Sequence, residues 1–212
     1  MGDPITPGEF TAPDWHVLGE GACAFFRTDS FADSARLVQS LTTLPVHPDV
    51  DIRPDGVLVR LLTTTPEYCG LTTDDLDAAH RISALATGLG LLSDHSRVQT
   101  VQVTIDALDI PALMRFWAAV LDYVPRPDNP DEDLIDPRGR GTSLWFQQMD
   151  APRPQRNRLH FDVWVPFSQA PQRIQAALDA GGHLVTDEHA PSWWVLADPE
   201  GNEVCIATVE GR

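Results

Sequence analysis

The feature that most constrains this chain is a repeat in its second half. Asp-Pro-x-Gly occurs as Asp136-Pro137-Arg138-Gly139 and again as Asp198-Pro199-Glu200-Gly201, each time just ahead of a strand-like run. Asp favours a turn, Pro restricts φ, and Gly permits positive φ. The runs that follow, Ser143-Leu144-Trp145-Phe146-Gln147 and Glu203-Val204-Cys205-Ile206, have the composition of strands. The order upstream of each turn repeats too. Val98 to Ile105 reads as a strand and Ile110 to Leu121 as a helix. Leu159 to Val163 reads as a strand, Gln169 to Ala180 as a helix stopped by Gly181-Gly182, with further strands near Leu184 and Trp194. Two β-α-β-β-β units in tandem constrain a fold more than any single motif. Their curved sheets would each supply half of a cleft.

Strand parity then picks out candidate site residues. Leu159, Phe161 and Val163 point one way, and His160 and Asp162 the other. Glu203 and Cys205 share a face for the same reason. If the polar faces line the cleft, His160, Asp162, Glu203 and Cys205 converge from one unit. Gln102 and Gln147 approach from the other, and Trp145 and Trp194 supply aromatic walls. Polar groups in an apolar, aromatic pocket are the composition of a small-molecule site. His160 is the first candidate for catalysis, as base or ligand, with Glu203 as its acid/base partner. Arg153, Arg156 and Arg158 form the only dense basic stretch, suited to a small anion.

These residues resemble the glyoxalase-like proteins of the vicinal oxygen chelate superfamily. The resemblance rests on Asp106-x-x-Asp109 before Phe116-Trp117 and Leu121, on Arg158-Leu159-His160-Phe161-Asp162, and on Ala197 to Cys205. It implies a glyoxalase/bleomycin-resistance type fold and a lyase or isomerase activity on a small molecule. It also implies a divalent metal held by a His from a module's first strand and a Glu from its last. Family sites often read Gly-Asn-x-x-Glu, which places the ligand on Cys205 here. His160 is the best metal candidate, but with Cys205 and Gln102 at ligand positions the full set is absent and no tight metal is expected.

The first half, from Ala22 to Leu92, is a second compact stretch. Ala22 to Phe26 reads as a strand, and Phe31, Ala35, Val38 and Leu41 fall at helical spacing after Asp29 or Ser30. Val50 to Ile52 and Val57 to Thr64 form a hairpin across Arg53-Pro54-Asp55-Gly56. Thr72 opens a helix with Asp75 three residues on, close to a capping box. Val46-His47-Pro48-Asp49, the strand end Leu62 to Thr65, and Gly70 to Ala79 resemble the pterin-4a-carbinolamine dehydratases. That family has two adjacent histidines where Val46-His47 stands, and a third at Pro66. The resemblance therefore implies a degenerate site whose remnants are His47, Asp49, Thr72 and Asp75.

The predicted fold is α+β: a flexible leader over 1–21, a dehydratase-like α/β sandwich over 22–93, and paired β-α-β-β-β modules over 97–210. A formal charge of −16 repels phosphate backbones and anionic membranes, so neither is expected as a partner. Three widely spaced cysteines and no apolar N-terminal run point to a reducing, cytoplasmic setting. Sheet edges that need cover point to a homodimer. Three functional readings stay open: a glyoxalase-like lyase or isomerase, a non-catalytic small-molecule binding module, and a residual 4a-hydroxytetrahydropterin dehydratase.

Overall fold

A computed structural model describes residues 2–19, 21–152, 160–165, 167–208 and 210–211. The basic stretch Arg153, Arg156 and Arg158, with Leu159, lies outside the described residues. The chain divides into two compact units, Met1–Val101 and Gln102–Arg212. The first runs β1 (Pro4–Ile5), β2 (His16–Leu18), β3 (Gly21–Arg27), α1 (Phe31–Leu41), β4 (Asp49–Arg53), β5 (Gly56–Leu61), β6 (Thr63–Thr65), β7 (Tyr68–Thr72) and α2 (Thr73–Gly88). Strands β2-β3-β5-β4 form one antiparallel sheet and β1-β7-β6 another. Ala24, Phe26, Val57, Val59 and Leu61 pack with Leu37 of α1 and Ala79 and Ile82 of α2 in one apolar cluster. Ser30 caps α1, and Thr72 with Asp75 closes a capping box on α2, as the spacing predicts.

The leader departs from expectation. Instead of remaining flexible, Pro4–Ile5 pairs with β7, and His16–Leu18 adds an edge to β3. Phe10, Ala12 and Trp15 are buried. Trp15 meets Phe10 and Phe26 edge-on, with centroids 6.5 and 6.4 Å away, and its Nε1 donates to Ser83 Oγ at 3.1 Å. Prolines limit the leader to short elements, but its two aromatic side chains still gain by burial.

The second unit contains the predicted repeat. Its first module is β8 (Val103–Ala107), α3 (Ile110–Leu121), β9 (Val124–Pro125), β10 (Asp133–Ile135) and β11 (Leu144–Gln148). Its second is β12 (Phe161–Trp164), α4 (Ala170–Asp179), β13 (His183–Thr186), β14 (Trp193–Ala197) and β15 (Glu203–Ala207). The sheet orders are β8-β11-β10-β9 and β12-β15-β14-β13. In both, the first strand lies parallel to the last and the remaining pairs are antiparallel. The first strand begins later than the apolar pattern suggests. His95–Arg97 forms a short 3-10 turn and Val101 remains exposed.

The two Asp-Pro-x-Gly turns repeat as well, with Gly139 at φ 67° and Gly201 at φ 91°. Asp136 accepts from Arg140 and Gly141 backbone N–H, at 3.1 and 2.7 Å. Asp198 accepts from Glu200 and Asn202 N–H, both at 2.9 Å. One apolar cluster joins the modules: Ile105, Leu144, Phe146, Leu196, Val204 and Ile206 from the sheets, Leu113, Phe116, Trp117 and Val120 from α3, and Ala170 and Ala177 from α4. Gly182 is required by this packing, since a Cβ there would lie 2.1 Å from the Phe116 ring.

Asp198 has a role its counterpart Asp136 lacks. Fully buried, it also accepts from Trp117 Nε1 at 3.0 Å, across the two modules. Asp198→Ala would strand that indole N–H and two turn amides. The expected loss is about 3 kcal/mol, from about 1–3 kcal/mol per unsatisfied buried group. Asp136→Ala should lose less. Urea denaturation of both variants, followed by far-UV circular dichroism, checks the ranking.

Candidate functional site

Strand register brings three of the predicted residues together. In the parallel pair β12–β15, Asp162 stands beside Cys205, Val163 beside Ile206 and Trp164 beside Ala207. Val163 and Ile206 belong to the helix-facing core, so Asp162 and Cys205 face the opposite side, helix-free among the module's described residues. Glu203 shares the Cys205 face. The same register, carried one residue outward, sets His160 level with Glu203. His160 Nε2 lies 3.5 Å from Asp162 Oδ1, with the two side chains 53% and 51% exposed. One donor atom each from His160, Asp162 and Cys205 lies within 4.8 Å of the others.

The thiol in this group holds its proton. Burial pushes the Cys205 pKa up to about 11. Asp162 adds to the effect, first by accepting the thiol hydrogen bond and then by repelling the thiolate, and Glu203 repels it too. At neutral pH Cys205 is therefore a hydrogen-bond donor to a carboxylate, not a nucleophile. The other two cysteines, Cys23 and Cys69, are buried in the first unit.

Residues 102–207 match the glyoxalase-like domain family. The chain belongs to that family. Similar solved structures include a glyoxalase-related enzyme from Fulvimarina pelagi, 20% identical with a TM-score of 0.42, covering 52% of this chain and 87% of that one. A glyoxalase/bleomycin resistance protein/dioxygenase family enzyme from Burkholderia phytofirmans PsJN is 21% identical, with a TM-score of 0.41 and coverage of 51% and 96%. A glyoxalase/dioxygenase from Nostoc punctiforme is 13% identical, with a TM-score of 0.42 and coverage of 54% and 92%. At such distances none of them speaks for this chain's substrate. No curated protein matches the chain.

For a glyoxalase-like domain the implied divalent metal can be tested against the donors present. Imidazole nitrogen, carboxylate oxygen and thiolate sulfur suit a borderline ion such as zinc, and catalytic zinc sites keep three protein ligands and one open position. His160, Asp162 and Cys205 fit such an open site. The sequence places Cys205 and Gln102 at ligand positions beside His160, which is why it predicts no tight ion. Asp162, assigned there only to binding, is the donor it missed, although the His160–Asp162 alternation already placed both on one face.

The remaining candidates lie elsewhere. Trp145 is on the first module's helix-free face, and its Nε1 donates to Glu132 Oε2 at 3.3 Å. Gln147 pairs level with Asp106, and Gln102 is exposed just ahead of β8. None of these three bonds to His160, Asp162 or Cys205 among the described residues. Trp194 is a correction: it pairs with Ile206 and packs against the helix-facing core. Of two adjacent strand residues only one can take the helix-free face, and that one is Trp193.

In the first unit, His47 is exposed ahead of β4, and Asp49 accepts from Arg60 Nε at 3.1 Å. Thr72 and Asp75 are buried at the start of α2, where Asp75 Oδ2 accepts from Thr63 Oγ1, Thr72 N and Thr72 Oγ1, each at 2.8 Å. These carboxylate bonds make a helix cap, and none of them reaches His47.

The thiol's environment sets a reactivity test. Because Asp162 raises the Cys205 pKa, Asp162→Asn lowers it and enlarges the thiolate fraction at a given pH. Iodoacetamide should label Cys205 slowly at pH 8 in the wild type and about several-fold faster in Asp162→Asn, with burial still holding the thiol above its ordinary range. Mass spectrometry of the Cys205 peptide across pH 7–11 reads both profiles.

Proposed function

We propose that the C-terminal unit is a small-molecule enzyme of vicinal oxygen chelate type, of lyase or isomerase class, with His160, Asp162 and Cys205 as its centre. The observation that supports this most is the approach of these three donors within 4.8 Å on the sheet face opposite the helix-packed core. A divalent ion held there would polarise neighbouring oxygens of a substrate as a Lewis acid. Glu203 is then left for acid–base work, as a carboxylate on the same face two residues from Cys205, able to take a proton from a substrate carbon. Asp162 accepts the Cys205 thiol hydrogen bond, and it would be a ligand beside the thiolate were an ion held there. Binding of an ion would therefore be coupled to proton release and would strengthen as pH rises.

For the N-terminal unit we propose a dehydratase-like ancestry without dehydratase activity. Val46 and Pro66 stand where that chemistry needs imidazoles, and Asp75 is committed to the α2 cap.

Cobalt(II) titration of the purified chain tests the central reading. A thiolate-to-cobalt charge-transfer band should appear with release of about one proton per ion. Cys205→Ser should lack the band, and His160→Ala should weaken binding by about tenfold or more. A wild-type chain that gives neither band nor proton would overturn the assignment.

A further inference from the structure

In the first unit, two short segments meet end to end along one edge of β3, and each presents a histidine at the join. β5 occupies the other edge of β3. β2 covers the near edge from Gly21 to Cys23, with His16 level with Cys23. Residues 92–94 continue along that edge: Ser93 bridges Phe26, Arg27 N donates to Leu92 O at 2.9 Å, and Asp94 N donates to Phe25 O at 2.8 Å. Carried one residue further, that register sets His95 level with Ala24, next to Cys23. There His16 Nε2 and His95 Nδ1 lie 2.5 Å apart, with the rings crossed at 80° and their centroids 4.7 Å apart. We propose that His16 and His95 chelate a divalent transition-metal ion of copper or nickel type, which clips the leader to the segment that follows α2. The site stands independently of the function proposed for the second unit.

Imidazole nitrogen suits such ions, and their tetragonal geometry suits this pair. With bonds of about 2.0 Å, neighbouring ligands stand about 2.8 Å apart on a square plane and about 3.3 Å apart on a tetrahedron. The observed 2.5 Å needs an opening of about 0.3 Å for the first and about 0.8 Å for the second. Both side chains are exposed, so small ring rotations supply the difference. No cavity has to open. The ion would take the place of the proton between the two nitrogens, and the donating imidazole would carry that proton on its other ring nitrogen.

The backbones behind both histidines are fixed without an ion. Trp15 is buried, and its Nε1 donates to Ser83 Oγ at 3.1 Å. Asp94 is bonded to β3 and caps the turn His95–Arg97, accepting from Ser96 N at 3.1 Å. Ser93 Oγ donates to Asp14 Oδ1 at 2.7 Å, a second bond across the same join. A chelate on such a frame loses little freedom on binding. Charge favours a cation too. The nearby guanidiniums are already paired, Arg27 with Asp94 at 3.4 Å and Arg97 with Asp55 at 2.5 Å, and the chain carries a formal charge of −16. Among the described residues no third His, Cys, Asp or Glu joins the pair in a close group. The ion's remaining positions would fall to water, which makes this an exchangeable clip and not a closed structural cage.

Copper(II) alone is the probe, added to the full chain carrying His160→Ala and Cys205→Ser so that two of the second unit's three donors are removed. Electron paramagnetic resonance at pH 8 should show a copper ion with two imidazole nitrogens in its plane. His16→Gln and His95→Gln should each leave at most one of those nitrogens and weaken binding about a hundredfold, the scale of a lost chelate. Saturating copper should raise the melting temperature of the parent by about 5 °C or more and leave that of either glutamine variant nearly unchanged. Circular dichroism checks that the variants fold. Both positions are exposed, and either variant carries the test if the other does not fold. No copper bound, copper with a single nitrogen, or affinity indifferent to both substitutions would each overturn the clip. The cobalt charge-transfer band of the wild-type chain reports the Cys205 thiolate alone, so either metal reading can fail while the other stands.

Discussion

The buried hydrogen bond from Trp117 to Asp198 ties the two β-α-β-β-β modules together at the turn that launches β15. Asp198 accepts the indole N–H with one oxygen while the other accepts the amides of the turn that launches β15. The helix of the first module is thus joined to the start of the last strand of the second. Further bonds hold that helix at both ends. Glu200, two residues into the same turn, accepts from Leu108 and Asp109 N–H at 2.8 Å, ahead of α3, and Arg173 of α4 donates to Val120 O at 2.8 Å near its other end. Losing the carboxylate of Asp198 would therefore loosen a turn, a module contact and a strand's starting point together.

From that starting point, register does the rest. A strand side chain has only two faces available, and slipping the ladder by one residue would exchange them throughout. Val204 and Ile206 are fully buried against the helices, which leaves Cys205 no choice but the helix-free face beside Asp162. The unfavourable grouping of a thiol with two carboxylates is maintained by apolar packing on the other side of the same strands. Burial of the thiol first, and the two carboxylates after it, push the Cys205 pKa up.

The fold was legible where a local signal and a long-range one agreed. The repeated Asp-Pro-x-Gly turns and the helix at Ile110–Leu121 carried both, and the structure contains them. The leader was misread because its prolines are a local signal, whereas the burial of Phe10 and Trp15 depends on a sheet formed by residues far along the chain. The site was legible in its parity and not in its chemistry. Alternation put His160 with Asp162, and Glu203 with Cys205, but which strand neighbours which is not written in either segment. The parallel pairing that brings Asp162 to Cys205 emerges only from the closed module. Trp194 shows the same limit. Adjacent tryptophans must diverge, yet only the Val195–Cys205 register decides that Trp193 takes the helix-free face.

The modules share a frame and differ in what they display on it. On the helix-free face of the second, successive ladder pairs are Asp162 with Cys205 and Trp164 with Ala207. On the first, they are Thr104 with Trp145 and Asp106 with Gln147. Where one module offers a carboxylate and a thiol, the other offers a hydroxyl and an indole already bonded to Glu132. Among the described residues, the close group of three donors comes from the second half of the structural repeat alone. Were an ion held there, a site built from one module would leave its remaining coordination positions to water or substrate, and three protein donors would hold it less tightly than a closed four-ligand cage. Such a centre suits direct contact between ion and substrate, with specificity supplied by neighbouring groups on the same sheet.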